Sequence, residues 1–355
     1  MAEAMLAAPA TPIVTRDPRF LAGRKLIEKG LADEAVDIYA TLLEDTMQRY
    51  GEASIETAPA YYEYGNTLLR AVTKQQMAAA ERAEAANNAE TKAEQRTAVA
   101  EAAEKRLQNS SDKDSDKKPA AVDTSKDETK DGQDGENDTN DDVEDVGLAL
   151  EMMENSFSIL EEYKENSEKE GDRTYLEWVK EQLPRIMMGI GDTLSKLDRH
   201  ADAADVYSRA LELRKASLEE FAASKSTEDE VILKHLKAHR TVCEANVLIA
   251  EELLACPPGV DVMTTETQSL IVKAEERVSY ARGYYDQARD ALQEAVVFMG
   301  SMPRSIDLGR EKEDVCFLAT LVMGVGENLA VIDEEAAAAA AAGGTEPVKK
   351  KLKTG

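Results

Sequence analysis

In GDTLSKLDRHADAADVYSRA, Gly191–Ala210, small and apolar residues recur at fixed helical intervals. Gly191 and Leu194 end one apolar period, and Ala203, Tyr207 and Ala210 carry a second. The same order and spacing return at Gly23, Leu26, Ala35, Tyr39 and Leu42, with Leu in place of the final small residue. Each run predicts two helices joined by a turn. Small residues let paired helices approach, and the aromatic is expected to fill the hole between neighbouring pairs. Self-similarity of this kind predicts an array of helix pairs, each burying its apolar face against the next.

The totals agree with such an array. Charged residues make up 32% of the chain and aromatics 5%, which suits helices around a modest core. The net charge of −27 argues against a nucleic-acid binder, since no basic face exists to release counterions, and favours basic proteins as partners. Cys243, Cys256 and Cys316 show no CxxC spacing, which predicts free thiols in a reducing compartment. No run is expected to approach the ~18 apolar residues of a membrane span, and MAEAMLAAPATPIVTRDP lacks the layout of a secretory signal. A soluble, intracellular chain is expected.

Taken in order, residues 1–17 read as a disordered tail. Residues 18–72 hold the first helix pair and, in ETAPAYYEYGNTLLRAV, the opening helix of a second. Residues 73–107 are rich in Ala, Glu, Gln, Lys and Arg; they predict an exposed helix with no apolar stripe to dock it. Residues 108–146 read as disordered, ending in a block with eight carboxylates and no Lys or Arg between Asp131 and Asp145. Helical periodicity resumes at Leu148, Ala149, Met152, Met153, Phe157 and Leu160. Residues 147–332 then predict a third pair from about Tyr175 to Phe221, and long helices near Val231–Leu254, Thr267–Met299 and Lys312–Ile332. Residues 333–355 form a second tail.

The repeated spacing resembles the tetratricopeptide repeat, which implies an all-α, tetratricopeptide-repeat α-solenoid. Tyr61, Tyr64, Gly65 and Leu68 begin a second repeat whose partner helix returns only beyond the acid block. A repeat interrupted by an acidic disordered insertion resembles the nuclear autoantigenic sperm protein family of histone chaperones. RYGEASIETAPAYYEYGNTLLRA (Arg49–Ala71) and LALEMM after the acid block carry that likeness, over about Phe20–Ile332. Leu150 departs from it, standing where the family often has Trp. So does the fourth repeat, where Tyr285, Ala288, Leu292 and Ala295 fit but Glu276 takes a small residue's place. The resemblance implies no catalysis and no cofactor. It implies binding of core histones H3 and H4, chiefly H3, and nuclear localisation with a cytoplasmic pool. It leaves linker histone and self-association as open questions.

Four groups of residues are candidates for function. The acid block, Asp131, Asp134, Glu136, Asp138, Asp141, Asp142, Glu144 and Asp145, would shield basic histone surface; the bland alternative is a solvated linker. Repeat spacing turns Tyr62, Asn66, Leu69, Met188, Asp192 and Ser195 toward a groove able to take an amphipathic histone helix, with core packing the alternative for Tyr62 and Met188. Lys349, Lys350, Lys351 and Lys353 resemble a nuclear import signal. His235, His239 and Cys243 share a helix face, but no fourth ligand suggests zinc, and a mixed helix surface is the expectation. No phosphate loop, GxSxG or strand-rich segment supports an enzyme. The second functional reading is a scaffold gripping the acidic tail of a heat-shock protein. Arg24, Asn66 and Arg185 are its only suggestive pieces, and Phe20 stands where a clamping lysine is expected.

Overall fold

The computed structural model describes residues 10–108, 138–171, 173–224, 228–264, 270–303 and 305–341. Over these the protein is all-α apart from one short hairpin. The helices are α1 (Pro18–Glu28), α2 (Ala32–Tyr50), α3 (Ala58–Gln108), α4 (Asp138–Glu170), α5 (Leu176–Lys196), α6 (His200–Ala223), α7 (Asp229–Ala255), α8 (Arg277–Ser301) and α9 (Gly309–Ala341). Strands β1 (Val262–Thr264) and β2 (Leu270–Val272) pair antiparallel between α7 and α8.

Each helix packs chiefly on the one before it and the one after it, so the core is one continuous apolar seam. Local chemistry fixes the turns. The Asp17 carboxylate accepts from the Arg19 N–H to cap α1, with Pro18 in the first turn where its missing N–H goes unmissed. Gly30, at φ +73°, carries the chain from α1 into α2.

The repeated small residues explain how closely the pairs approach. A Cβ added to Gly23 would lie 2.6 Å from the Tyr39 ring, and one added to Gly191 would lie 2.3 Å from the Tyr207 ring. The ring therefore fills the gap inside its own pair, α1–α2 or α5–α6, rather than the hole between neighbouring pairs. Tyr39 also donates to the Phe20 carbonyl at 3.1 Å, and Tyr207 to the Asp192 carboxylate at 2.6 Å.

Two helices far apart in sequence share a joint of the same kind. α3 packs antiparallel on α4: a Cβ at Gly65 would lie 2.7 Å from the Ala149 carbonyl oxygen, and the buried Ser156 hydroxyl donates to the Ala58 carbonyl at 2.8 Å. Ala149, Met153 and Leu160, all fully buried, form the α4 side of this joint.

Several sequence expectations need correction. α4 begins at Asp138, inside the span read as disordered to residue 146; acidic residues favour a helix N-terminus, and the Val146 period starts there. The N-terminal tail is pinned from within: Ile13–Arg16 form a 3₁₀ turn, Val14 is buried, and Glu56 accepts the Ile13 N–H at 2.5 Å. The same Glu56 carboxylate accepts from the Tyr175 hydroxyl at 3.0 Å. The helix expected from Thr267 starts only at Arg277, because the preceding residues form the hairpin, whose Val262 and Val272 are buried while Met263 and Ile271 face out. Glu276, expected inside a helix, is the residue before α8, and Tyr285 packs instead against Gly326 of α9.

α9 runs on to Ala341, into the second expected tail, as its alanine run favours. Against the expectation of no such run, Gly309–Ala338 is long and apolar enough, by length and composition, to cross a membrane. Gly and Thr break up its apolar residues to the eye, and Glu327 is its one charge between Val315 and Ile332. Val315, Leu318, Val322, Val325 and Leu329 bury one face of it, while Phe317 and Met323 stay exposed.

Candidate functional site

The turn after α1, the middle of α3, the end of α5 and the end of α7 enclose an open groove of about 830 Å³. Leu69, Met77 and Leu248 give it apolar walls. Asn66, Leu69, Asp192 and Ser195, four of the residues that repeat spacing turned inward, line it together. They meet because each pair lies within one turn on the same side of its helix, three residues apart on α3 and on α5, and α3 touches α5.

Tyr62 and Met188 do not line it, and that expectation is corrected. Each sits about one turn earlier in its helix, where the helices close over the core, and each is buried. A Cβ at Gly189 would lie 3.4 Å from the Tyr62 ring, and the Arg185 guanidinium lies over that ring at 4.6 Å. Met153 fills the remaining space beside Gly189.

The floor is anionic. Asp192 accepts from the Tyr207 hydroxyl at 2.6 Å. Asp192 is exposed by surface area, although the helices packed beneath it partly enclose its carboxylate. That enclosure pushes its pKa up to about 6, against the opposing pull of Tyr207. Because water reaches the group, the shift describes the local field rather than a stability term. Glu251, half-buried on α7, is pushed up to about 7, by burial first and by Glu252 second. Glu252 is buried and lies 2.7 Å from Nδ1 of His200. Of the three cations on the groove wall two are engaged, Lys74 with Asp33 at 2.8 Å and Arg70 donating to Asn66 at 3.2 Å, and the third, Lys196, is exposed.

Glu251 and Glu252 were missed in the sequence, where α7 drew notice for its His and Cys residues. The signal was present: two adjacent acids interrupt the apolar run LIAEELLA just before the helix ends.

The remaining candidates divide. Asp131, Asp134 and Glu136 lie outside the described residues, as do Lys349, Lys350, Lys351 and Lys353. Asp138, Asp141, Asp142, Glu144 and Asp145 lie in the first two turns of α4, the last two with exposed side chains. His235 and His239 stack on each other with centroids 5.0 Å apart and both abut Phe298. Burial lowers both their pKa values and pushes the Cys243 thiol up to about 12. Among the described residues, no group of three or more His, Cys, Asp or Glu side chains could hold a metal ion. Trp178 is buried in the core.

The pieces of a carboxylate clamp are already engaged. Arg185 and Arg24 converge on the buried Glu63 carboxylate, at 3.1 and 3.6 Å. Arg24 also lies 5.7 Å over the buried Phe20 ring. The chain matches no protein-family model and no curated protein.

Proposed function

We propose that this chain is a histone chaperone of the interrupted tetratricopeptide kind, binding histones H3 and H4 without catalysing a reaction. In this reading α1–α2 and α5–α6 are the first and third repeats. α3 and α4 are the two helices of the second, parted in sequence by an acid-rich insertion. Gly65 against Ala149 supports that assignment, as the small-residue contact such a pair requires. The acid block beside α4 would screen basic histone surface, and the Lys349–Lys353 cluster would serve nuclear import, placing the activity in chromatin assembly.

The observation that carries the function is the groove floor. Glu251 is half-buried where its charge is costly, Asp192 faces the same groove, and among the described residues no Lys or Arg pairs with Glu251, although Lys196 also lines the groove. An apolar-walled groove with that floor suits one face of an amphipathic histone helix, with a Lys or Arg reaching down to the carboxylates. An acidic heat-shock tail is a poor fit: the same carboxylates would repel it, and Glu63 holds the arginines that would grip it.

The test is binding of purified H3–H4 and of an acidic tail peptide, each titrated against the full chain and against Asp192→Asn/Glu251→Gln. The reading expects stoichiometric, salt-sensitive histone binding that the double variant weakens at least about tenfold. Tighter binding of the acidic peptide, or histone affinity unchanged in the variant, would sink it.

A further inference from the structure

A second groove, of about 640 Å³, runs between α2 and α4 on the other side of α3. Both helices pack on α3, and between them α3 presents buried Tyr61 and half-buried Tyr64 at the base of the groove, away from Asn66 and Leu69. Leu43, Met47, Tyr61 and Met152 make its floor apolar. Its two margins are carboxylate: Glu44 and Glu52 on one side, Glu151 and Glu162 on the other, all four exposed. No Lys or Arg lines it.

We propose that this groove is a second docking surface, shaped for an amphipathic helix of a partner protein that carries Lys or Arg along both margins of an apolar stripe. The groove follows α2 from Ala40 to Met47, continues past Glu52 and Ala53 in the connection to α3, and follows α4 from Leu148 to Glu162, the last span roughly 20 Å at the helical rise, enough for about four turns of a docked helix. Apolar residues at i, i+3, i+4 and i+7 of such a helix would rest on Met47, Tyr61 and Met152, and its flanking cations would meet the glutamates. The hydroxyls of the two tyrosines sense the same field. Burial raises both pKa values first; Glu52 and Glu151 add to it at Tyr61, and Asp145, Asp37 and Glu44 at Tyr64. Asp145 belongs to the acid block, so the margin continues into that block along α4. Charge also selects against a second copy of this chain, whose net −27 would be repelled. The surface stands on its own geometry and does not depend on what occupies the Asp192 groove.

Methionine methyl NMR on the full chain tests this directly, because Met47 and Met152 report on this groove and Met77 on the other. The probe is a designed 18-residue helical peptide with a leucine stripe flanked by lysines, and its control has glutamate in place of every lysine. The expected result is a saturable shift of Met47 and Met152 with the lysine peptide and none with the control. Glu44→Lys/Glu151→Lys, both at exposed positions and so compatible with the fold, should weaken that response at least about tenfold at low salt while leaving the response of Met77 unchanged. The proposal is overturned if only Met77 responds, or if the charge-reversed chain responds as the parent does. Shifts of Met47 and Met152 on dilution without peptide would show a self-contact, and overturn it equally.

Discussion

Gly65→Ala probes the contact on which the pairing of α3 with α4 depends. The new Cβ would lie 2.7 Å from the Ala149 carbonyl oxygen and 3.0 Å from Met153 Cγ. The first of these is backbone and cannot swing aside, so α3 and α4 must move apart. Overpacking of this kind costs about 1–3 kcal/mol. Replacing a mid-helix glycine by alanine returns about 1 kcal/mol of helix propensity, which would mask part of that cost. Gly283→Ala supplies the reference. It lies inside α8 with nothing within 4 Å of its added Cβ, so it should show the propensity gain alone. The two variants should therefore differ by about 1–3 kcal/mol, with Gly65→Ala the less stable. Urea unfolding followed by circular dichroism at several protein concentrations measures the difference. If both substitutions stabilise the chain equally, α3 and α4 do not meet at Gly65, and the interrupted-repeat reading fails with them.

Half-buried Glu251 should make stability rise as pH falls. Its native pKa, about 7, lies above the ordinary carboxylate value, so between roughly pH 7 and pH 4 the folded chain holds a proton that the unfolded chain has released. The destabilisation is complete above that window and gone below it, and thermal melts across pH should flatten in Glu251→Gln. Glu63→Ala should lower stability by about 1–2 kcal/mol in denaturant unfolding: it strips a buried partner from Arg24 and Arg185, which are exposed enough to recover hydration. Native chain treated with a thiol reagent should take one equivalent quickly, at the exposed Cys316. Buried Cys243 and Cys256, whose thiol pKa values burial raises, should react only on unfolding. Mass spectrometry of the labelled peptides decides it.

What the sequence made legible was contact between residues of fixed spacing. Gly191 and Tyr207 are sixteen residues apart on adjacent helices, as are Gly23 and Tyr39, so the helix pairs could be read before any coordinates, while the gap each ring fills, inside its own pair, could not. The groove followed in part, since Asn66, Leu69, Asp192 and Ser195 obey the same helical period. Tyr62 and Met188 did not follow, because periodicity gives a face and not the depth at which neighbouring helices close over it. Glu251 escaped for another reason: it reaches the groove from α7, through the stacking of one pair on the next. The hairpin was hidden because three-residue strands are too short to show a period of two beside longer apolar runs. The turn at Ile13–Arg16 was hidden because its anchor, Glu56, lies forty-odd residues away.

That anchor has a consequence for where the folded unit begins. One carboxylate gathers the backbone of Ile13 and Val14, the end of the α2–α3 connection and the hydroxyl of Tyr175 into a single knot. A chain trimmed back to Pro18, where helical periodicity starts, would keep α1 to α9 yet leave Glu56 enclosed with fewer donors and take Val14 from the core it shares with Phe20. The first pair's grip on the third is fastened by residues that look, in sequence, like packaging.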